Sequence, residues 1–444
     1  MLSPSRSAAF DILMRVEQGA FADELLHSER LNDLSPADRA LCTQIVMGVL
    51  RWRSQLDELI ASWSKAPPHR LDLEVATALR IGAYQLTHLE RIPAHAAVDQ
   101  TVELVKRARR RFAAPMVNAV MRKIAASKPA PPPPMEEEES LDRIAAATAH
   151  PLWLLERWLA EYGLAAVRQI TRYDQEIPVP ALRLADAAAE SDLQKEGIEL
   201  APGALVARAR RVISGDVTKT GVFAEGRAYV QDEASQLVAL LVGRGARILD
   251  CCAAPGGKTS VIAERNPSSL VVAAELHPAR ARLTRRLVRA RKVCVIAANA
   301  EALPLMPNFD RALADVPCSG TGTLARNPEI KWRLRPEDLS DLHRRQASIL
   351  GSALSYLVPG GRLAYSTCSL EREENEDVVA EVMAGRTDLR LLDCRDQLRR
   401  LQAEAELICD DLDSLARGNF LRTLPGVHPC DGFFAAVMQV ASSR

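Results

Sequence analysis

The 444-residue chain lacks any net charge: 57 Lys and Arg balance 57 Asp and Glu. That absence excludes a histone-like polycation and leaves nucleic-acid binding to local patches. No apolar run approaches the roughly 18–20 residues of a bilayer span. The start, Met1-Leu2-Ser3-Pro4-Ser5-Arg6, lacks the apolar core of a secretion signal, so a cytoplasmic chain without a membrane partner is expected. The nine cysteines include no Cys-x-x-Cys pair, and Cys251 and Cys252 are adjacent, so no zinc or other metal site is expected. Reduced thiols, some of them inert core residues, are the default. What is there is globular in character: 48% hydrophobic and 26% charged residues exclude wholesale disorder.

Pro129-Ala130-Pro131-Pro132-Pro133-Pro134-Met135, followed by Glu136 to Glu139, forbids a continuing helix and repels itself, and reads as an extended linker over 129–140. Before it, residues 1–128 are helical in pattern. Ala9, Ile12, Leu13 and Val16 share one face; Ser35-Pro36 starts a helix with Leu41, Ile45 and Val49 inward; Val98, Val102 and Val105 mark another. That last helix ends in Lys106, Arg107, Ala108, Arg109, Arg110 and Arg111, which is either a solvated helix end favoured by the dipole or a phosphate-contacting patch. A mixed region follows over 141–226. From 227 to 444, short apolar strands alternate with helices, the rhythm of a parallel α/β sheet. Strands are expected at Arg247–Cys251, Leu270–Ala274, Val293–Ala297, Arg311–Ala314 and Arg362–Tyr365, helices at Pro278–Ala290 and Glu337–Leu357, and a turn at Pro359-Gly360-Gly361.

The first of these strands runs through Asp250, Cys251, Cys252, Ala253, Ala254 and Pro255 into Gly256, Gly257, Lys258 and Thr259. A strand, a glycine turn and a helix bring backbone N–H groups to the carboxyl edge of the sheet, where such folds hold cofactors. The spacing for a nicotinamide dinucleotide is absent. A P-loop would need its first glycine where Cys252 stands. S-adenosylmethionine, which needs close backbone approach but no phosphate cradle, is the third candidate. Glu275, at the end of the second strand, is placed to hold ribose hydroxyls. Cys318, in Asp315-Val316-Pro317-Cys318-Ser319-Gly320-Thr321-Gly322, and Cys368, in Tyr365-Ser366-Thr367-Cys368-Ser369, follow two later strands. Both thiols therefore lie at the same sheet edge as the glycine loop, among small polar residues, and read as catalytic.

These motifs, with Tyr229–Ser235 and the closing Asp431-Gly432-Phe433-Phe434, resemble the Sun family of RNA cytosine-C5 methyltransferases. The N-terminal part resembles the fold of the antitermination factor NusB. The resemblance implies a multidomain chain: an all-α NusB-like domain and a C-terminal α/β, Rossmann-like, S-adenosylmethionine-dependent methyltransferase domain. It implies methylation at C5 of one cytosine of small-subunit ribosomal RNA, position 967 in the enzymes it resembles, on naked or early-assembly RNA, by a monomer. In that chemistry a thiolate adds to C6 and makes C5 nucleophilic. By resemblance Cys368 is the nucleophile, Cys318 serves proton removal and release, Asp315 bonds the cytosine edge near N3, and Lys258 helps to keep a thiol ionised. Cys252 to Lys258, Glu275, Asn299 and Asp315 would hold the cofactor; Asn299 departs from the family, which places Asp there. Lys106, Arg107, Arg109, Arg110 and Arg111 become expected RNA contacts. Arg326, Lys331, Arg333 and Arg335 flank the Cys318 turn with Trp332 between them, candidates to grip phosphate or stack a base where a base must be unstacked to reach a thiol, with ordinary packing the equal alternative for Trp332. A non-catalytic RNA-binding assembly factor is the rival reading, and it has no use for both thiols.

Overall fold

The structure is a computed structural model that describes residues 2–28, 31, 33–127 and 140–442. Of the expected linker, 129–139 lie outside the described residues; Ser140 caps the helix that follows it. The chain divides into two compact units, one of residues 1–177 and 324–333, the other of 178–323 and 334–444.

The first unit is helical, with helices at Pro4–Glu17, Pro36–Arg51, Arg53–Trp63, Leu73–His88, Ala94–Arg107 and Ala114–Ser127. The predicted faces are buried at Ala9, Ile12, Leu13 and Val16, then Ile45, Val49, Val98 and Val105, while Val102 is half-buried. Leu41 is only half-buried because Cys42, one residue on, takes the core position. Ser35 accepts the N–H of Asp38 at 3.1 Å, which supplies the predicted cap.

The expected 141–226 region does not hold together. Its helices, Leu141–Thr148 and Leu152–Gln175, group with the first unit, where the buried Arg51 guanidinium donates to the Asp174 carbonyl at 3.3 Å. The Gln55 amide reaches the carbonyls of Ala146 and Ala147 at 2.8 Å each.

The rest of that region joins the second unit as an antiparallel sheet: β1 (Ala181–Leu184), β2 (Glu199–Pro202), β3 (Ala209–Ser214) and β4 (Ala228–Val230), in the order β2-β3-β1-β4. The large sheet contains β5 (Arg247–Asp250), β6 (Leu270–Glu275), β7 (Val293–Ala297), β8 (Phe309–Asp315) and β9 (Leu357–Thr367). These five run parallel in the order β7-β6-β5-β8-β9. β10 (Leu389–Leu392), β11 (Ala416–Arg417), β12 (Phe420–Thr423) and β13 (Phe433–Val440) complete it, β13 lying antiparallel on β9. Near-continuous apolar runs such as Val271–Ala274 suit strands covered on both faces. The turn expected at Pro359-Gly360-Gly361 is instead carried within β9. Gly360 takes φ +80° and the register against β8 shifts there, which is how a strand absorbs extra residues.

Candidate active site

Because β5, β6, β8 and β9 are parallel, their carboxyl ends bring Asp250, Glu275, Asp315 and Thr367 to one edge. Beyond β5 the loop turns at Gly256, which has φ +112° and where a Cβ would meet Val288 Cγ2 at 2.6 Å. The helix Gly257–Arg265 starts there. Its Thr259 donates to Asp250 Oδ2 at 2.7 Å, while Asp250 Oδ1 makes no hydrogen bond among the described residues. Sequence reasoning missed Asp250 as a site residue, since a strand-end acid carries no local mark of its burial. Burial pushes its pKa up to about 7, against the pull of Thr259. The folded protein thus binds this proton more tightly than the unfolded chain. The resulting stability is complete below about pH 3.8 and is lost as pH rises to about 7. Relative to Asp250→Asn, wild-type stability is expected to fall by at most about 1.4 kcal/mol per pH unit across that window. Denaturant titrations of both proteins from pH 4 to 8 check this, and a pH-independent difference would disprove it.

Burial raises the Cys251 and Cys252 thiols well above the usual range, which disfavours their thiolates. Glu275 is buried and accepts the His277 N–H at 3.0 Å. Asn299, exposed beyond β7, accepts the Glu301 N–H at 3.1 Å. A cavity of about 590 Å³ borders the glycine loop through Pro255, Gly256 and Gly257. Lys258, Asp315, Cys318 and Cys368 are not among its lining residues, so it is separate from the thiols.

Asp315 is held on both oxygens, by Lys258 Nζ at 2.7 Å and by the Ser366 hydroxyl at 2.7 Å. Burial lowers the Lys258 pKa but the adjacent Asp315 more than reverses it, so the ammonium stays charged. Lys258 Nζ also lies 4.9 Å from the Phe433 ring centroid.

The sulfurs of Cys318 and Cys368 are 3.4 Å apart. Two devices join their turns, and a third ties the Cys318 turn to Gly432. Gly322 N donates to the Cys368 carbonyl at 2.9 Å. Gly432 N donates to the Gly322 carbonyl at 2.7 Å. The buried Glu374 carboxylate accepts from the Ser319 N–H and hydroxyl and from the Ser369 hydroxyl. Glu374 was invisible in the sequence, where it sits in the acidic run Glu371–Glu376 with nothing to separate it from its neighbours. The hydrogen bond to Cys368, then burial, then the charges of Cys368, Glu374 and Asp315 hold the Cys318 thiol well above its usual pKa.

The motif at 229–235 braces the same region. Asp232 caps the helix Glu233–Leu241 and accepts the Asp431 N–H at 3.3 Å. Buried Glu233 accepts the N–H groups of Ala204, Leu205 and Val206.

The expected RNA contacts separate into two sets. Lys331 is 2% exposed and its Nζ donates to the Arg51 carbonyl at 2.9 Å. Trp332 Nε1 donates to the Leu50 carbonyl at 2.6 Å, and Arg333 to the Val16 carbonyl at 2.6 Å. These groups satisfy helix carbonyls inside the first unit, which corrects the expectation of an RNA role beside Cys318 for Lys331 and Arg333 and leaves Trp332 packed. In the basic run, Lys106 pairs with Glu103, Arg107 with Asp11, and Arg110 with Asp72 and Glu74. Arg109 and Arg111 are exposed. Among the described residues no group of three or more His, Cys, Asp or Glu could hold a metal, and no helix is long and apolar enough to cross a membrane.

Comparison with known proteins gives matches over both parts of the chain. Residues 238–439 match the family described as 16S rRNA methyltransferase RsmB/F, and residues 3–126 match the NusB family. The chain is 33% identical over 451 residues to the Bacillus subtilis protein described as probable ribosomal RNA small subunit methyltransferase B, covering 98% of each. It is 31% identical to ribosomal RNA small subunit methyltransferase B of Xanthomonas campestris, covering 99% of this chain and 97% of that one. The crystal structure of PH0851 shares the fold over 99% of both chains, with a TM-score of 0.80 at 21% identity. The crystal structure of NSun6 from Pyrococcus horikoshii with SFG shares it over 66% of this chain and 99% of that one, with a TM-score of 0.56 at 18% identity.

Proposed function

The chain belongs to the RsmB/F family of 16S rRNA methyltransferases, and on that premise we propose that it methylates C5 of one cytosine in small-subunit ribosomal RNA, the equivalent of position 967, through a covalent bond from Cys368 to C6. The observation that carries this reading is the pair of thiols 3.4 Å apart at the strand edge that also bears the glycine loop. A scaffold needs neither thiol there.

The residues present fit S-adenosylmethionine. Asp250 Oδ1 is a buried acceptor without a donor, which suits a cationic ligand. Glu275 suits ribose hydroxyls, the backbone from Cys252 to Gly257 admits close approach, and the Asn299 carbonyl suits an adenine amino group. When bound, the cofactor supplies an electrophilic methyl group.

The protein's own groups do the rest. Cys368 adds through its sulfur to C6, and Lys258 offers positive charge nearby. Asp315 would face the cytosine edge near N3, and the Lys258 ammonium paired with it offsets the negative charge the ring gains. Once C5 carries the methyl group, its proton must leave. In the free protein the hydrogen bond to Cys368 comes first among the causes that keep Cys318 protonated. Bonding of Cys368 to C6 removes that cause, and Cys318, once it has given its own proton to solvent, can act as the base. Its removal of the C5 proton restores the C5–C6 double bond and expels Cys368 as thiolate. Reaching the base requires extrusion from a stack, which favours naked or early-assembly RNA. On the helical unit Arg109 and Arg111 are the better phosphate contacts, because acids neutralise Lys106, Arg107 and Arg110.

Purified protein incubated with small-subunit ribosomal RNA and the methyl donor is expected to protect one cytosine from bisulfite conversion. Methyl incorporation with every cytosine still converted would place the group on another atom and overturn the C5 assignment.

A further inference from the structure

Glu374 ends no strand and reaches no reacting atom, yet it has no solvent exposure. Its Oε1 accepts the Ser319 N–H at 2.8 Å and the Gln346 amide at 2.8 Å. Its Oε2 accepts the hydroxyls of both Ser319 and Ser369, which lie 2.9 Å apart. The Gln346 amide also donates to the Pro317 carbonyl at 3.0 Å. Tyr365 OH donates to the Glu374 main-chain carbonyl at 2.6 Å. Ser319 follows Cys318 and Ser369 follows Cys368, so one carboxylate holds the residue next to each thiol.

A buried carboxylate is costly, and apolar contact could join two turns more cheaply. What a hydrogen-bonded polar network adds is a unique, rigid arrangement. Its neighbour extends the clamp: the Asn375 amide donates to the Ser369 carbonyl at 2.9 Å, where Arg422 also donates at 3.1 Å.

We propose that Glu374 is a positioning residue that sets the Cys318–Cys368 sulfur separation by holding the residue after each cysteine. Its catalytic use rests on the covalent reading above; its geometric role does not. Without it Cys368 still attacks, but Cys318 no longer meets the adduct at the right distance and release slows.

The test uses full-length protein and diamide, without RNA or methyl donor. Formation of the Cys318–Cys368 disulfide removes one proton and one electron from each thiol and reduces the diazene to the hydrazine, and peptide mapping follows that link. Wild-type protein should form it rapidly, and Glu374→Ala at least about tenfold more slowly, as a displacement near 1 Å costs reacting groups. Glu374→Gln should stay close to wild type, because its oxygen still accepts the Ser319 N–H and its amide can donate to both hydroxyls. If Glu374→Ala does not fold, the double variant Ser319→Ala, Ser369→Ala removes the two hydroxyl donors and should show the same slowing. Folded Glu374→Ala, or in its place the double variant, linking at the wild-type rate overturns the proposal. So does Glu374→Gln as slow as Glu374→Ala, since that would assign the effect to charge. A protein that links as expected but methylates no cytosine would refute the proposed function alone.

Discussion

Cys368→Ala is expected to abolish methylation, by a factor of at least about 10³, and to form no covalent RNA adduct. Cys318→Ala is expected to attack and methylate but not to release its product, leaving protein bound to RNA. The trapped species should run as a retarded band on a denaturing gel and disappear after ribonuclease treatment. The asymmetry follows from geometry and protonation. The sulfurs are 3.4 Å apart, and Cys318 is held as a thiol by the hydrogen bond to Cys368, by burial and by neighbouring charges. A thiol held protonated is the poorer attacking group, which favours Cys368 for that role. After Cys368 is consumed, Cys318 is the sulfur beside it and can take the C5 proton. If Cys368→Ala is the variant that traps RNA, the two roles are exchanged. If both variants stay active, the covalent mechanism is wrong.

Gly322→Ala is expected to cost about 1–3 kcal/mol of stability and to reduce methylation at least about tenfold through a displaced Cys318 turn. A Cβ at Gly322 would stand 2.2 Å from the Gly432 carbonyl oxygen and 2.8 Å from the Gly432 Cα. These are backbone atoms at the entrance to β13, which is paired along β9, so no side-chain rotation can relieve the overlap. Either the Cys318 turn lifts or the Asp431–Phe434 segment moves, and each breaks the Gly432 N to Gly322 carbonyl bond of 2.7 Å. Cofactor affinity should change little, because Asp250 and Glu275 lie on other strands and Asn299 lies beyond β7. Thermal denaturation and methyl transfer measured on the same preparation check the pair of effects. Wild-type values for both would mean that the two glycines do not need their close approach.

The division between what could be read and what could not has a physical basis. Local chemistry is carried by neighbouring residues. The inward face of Ala9, Ile12, Leu13 and Val16, the cap at Ser35, the β5–glycine–helix turn and the strand-end positions of Cys318 and Cys368 were all legible, because periodicity and turn geometry act over a few residues. The sequence by itself therefore determined the helical and α/β halves and brought both thiols to one edge. Pairing between distant residues was not legible. Glu374 and Asp250 look like any exposed acid until the fold buries them, and Lys331 looks like an RNA contact until its Nζ meets the Arg51 carbonyl, 280 residues away in the chain. The grouping of 141–175 with the helical unit, and the 3.4 Å between the two sulfurs, depend on which surfaces desolvate each other. Burial and charge pairing are properties of that assembled environment, and only the tertiary structure decided them.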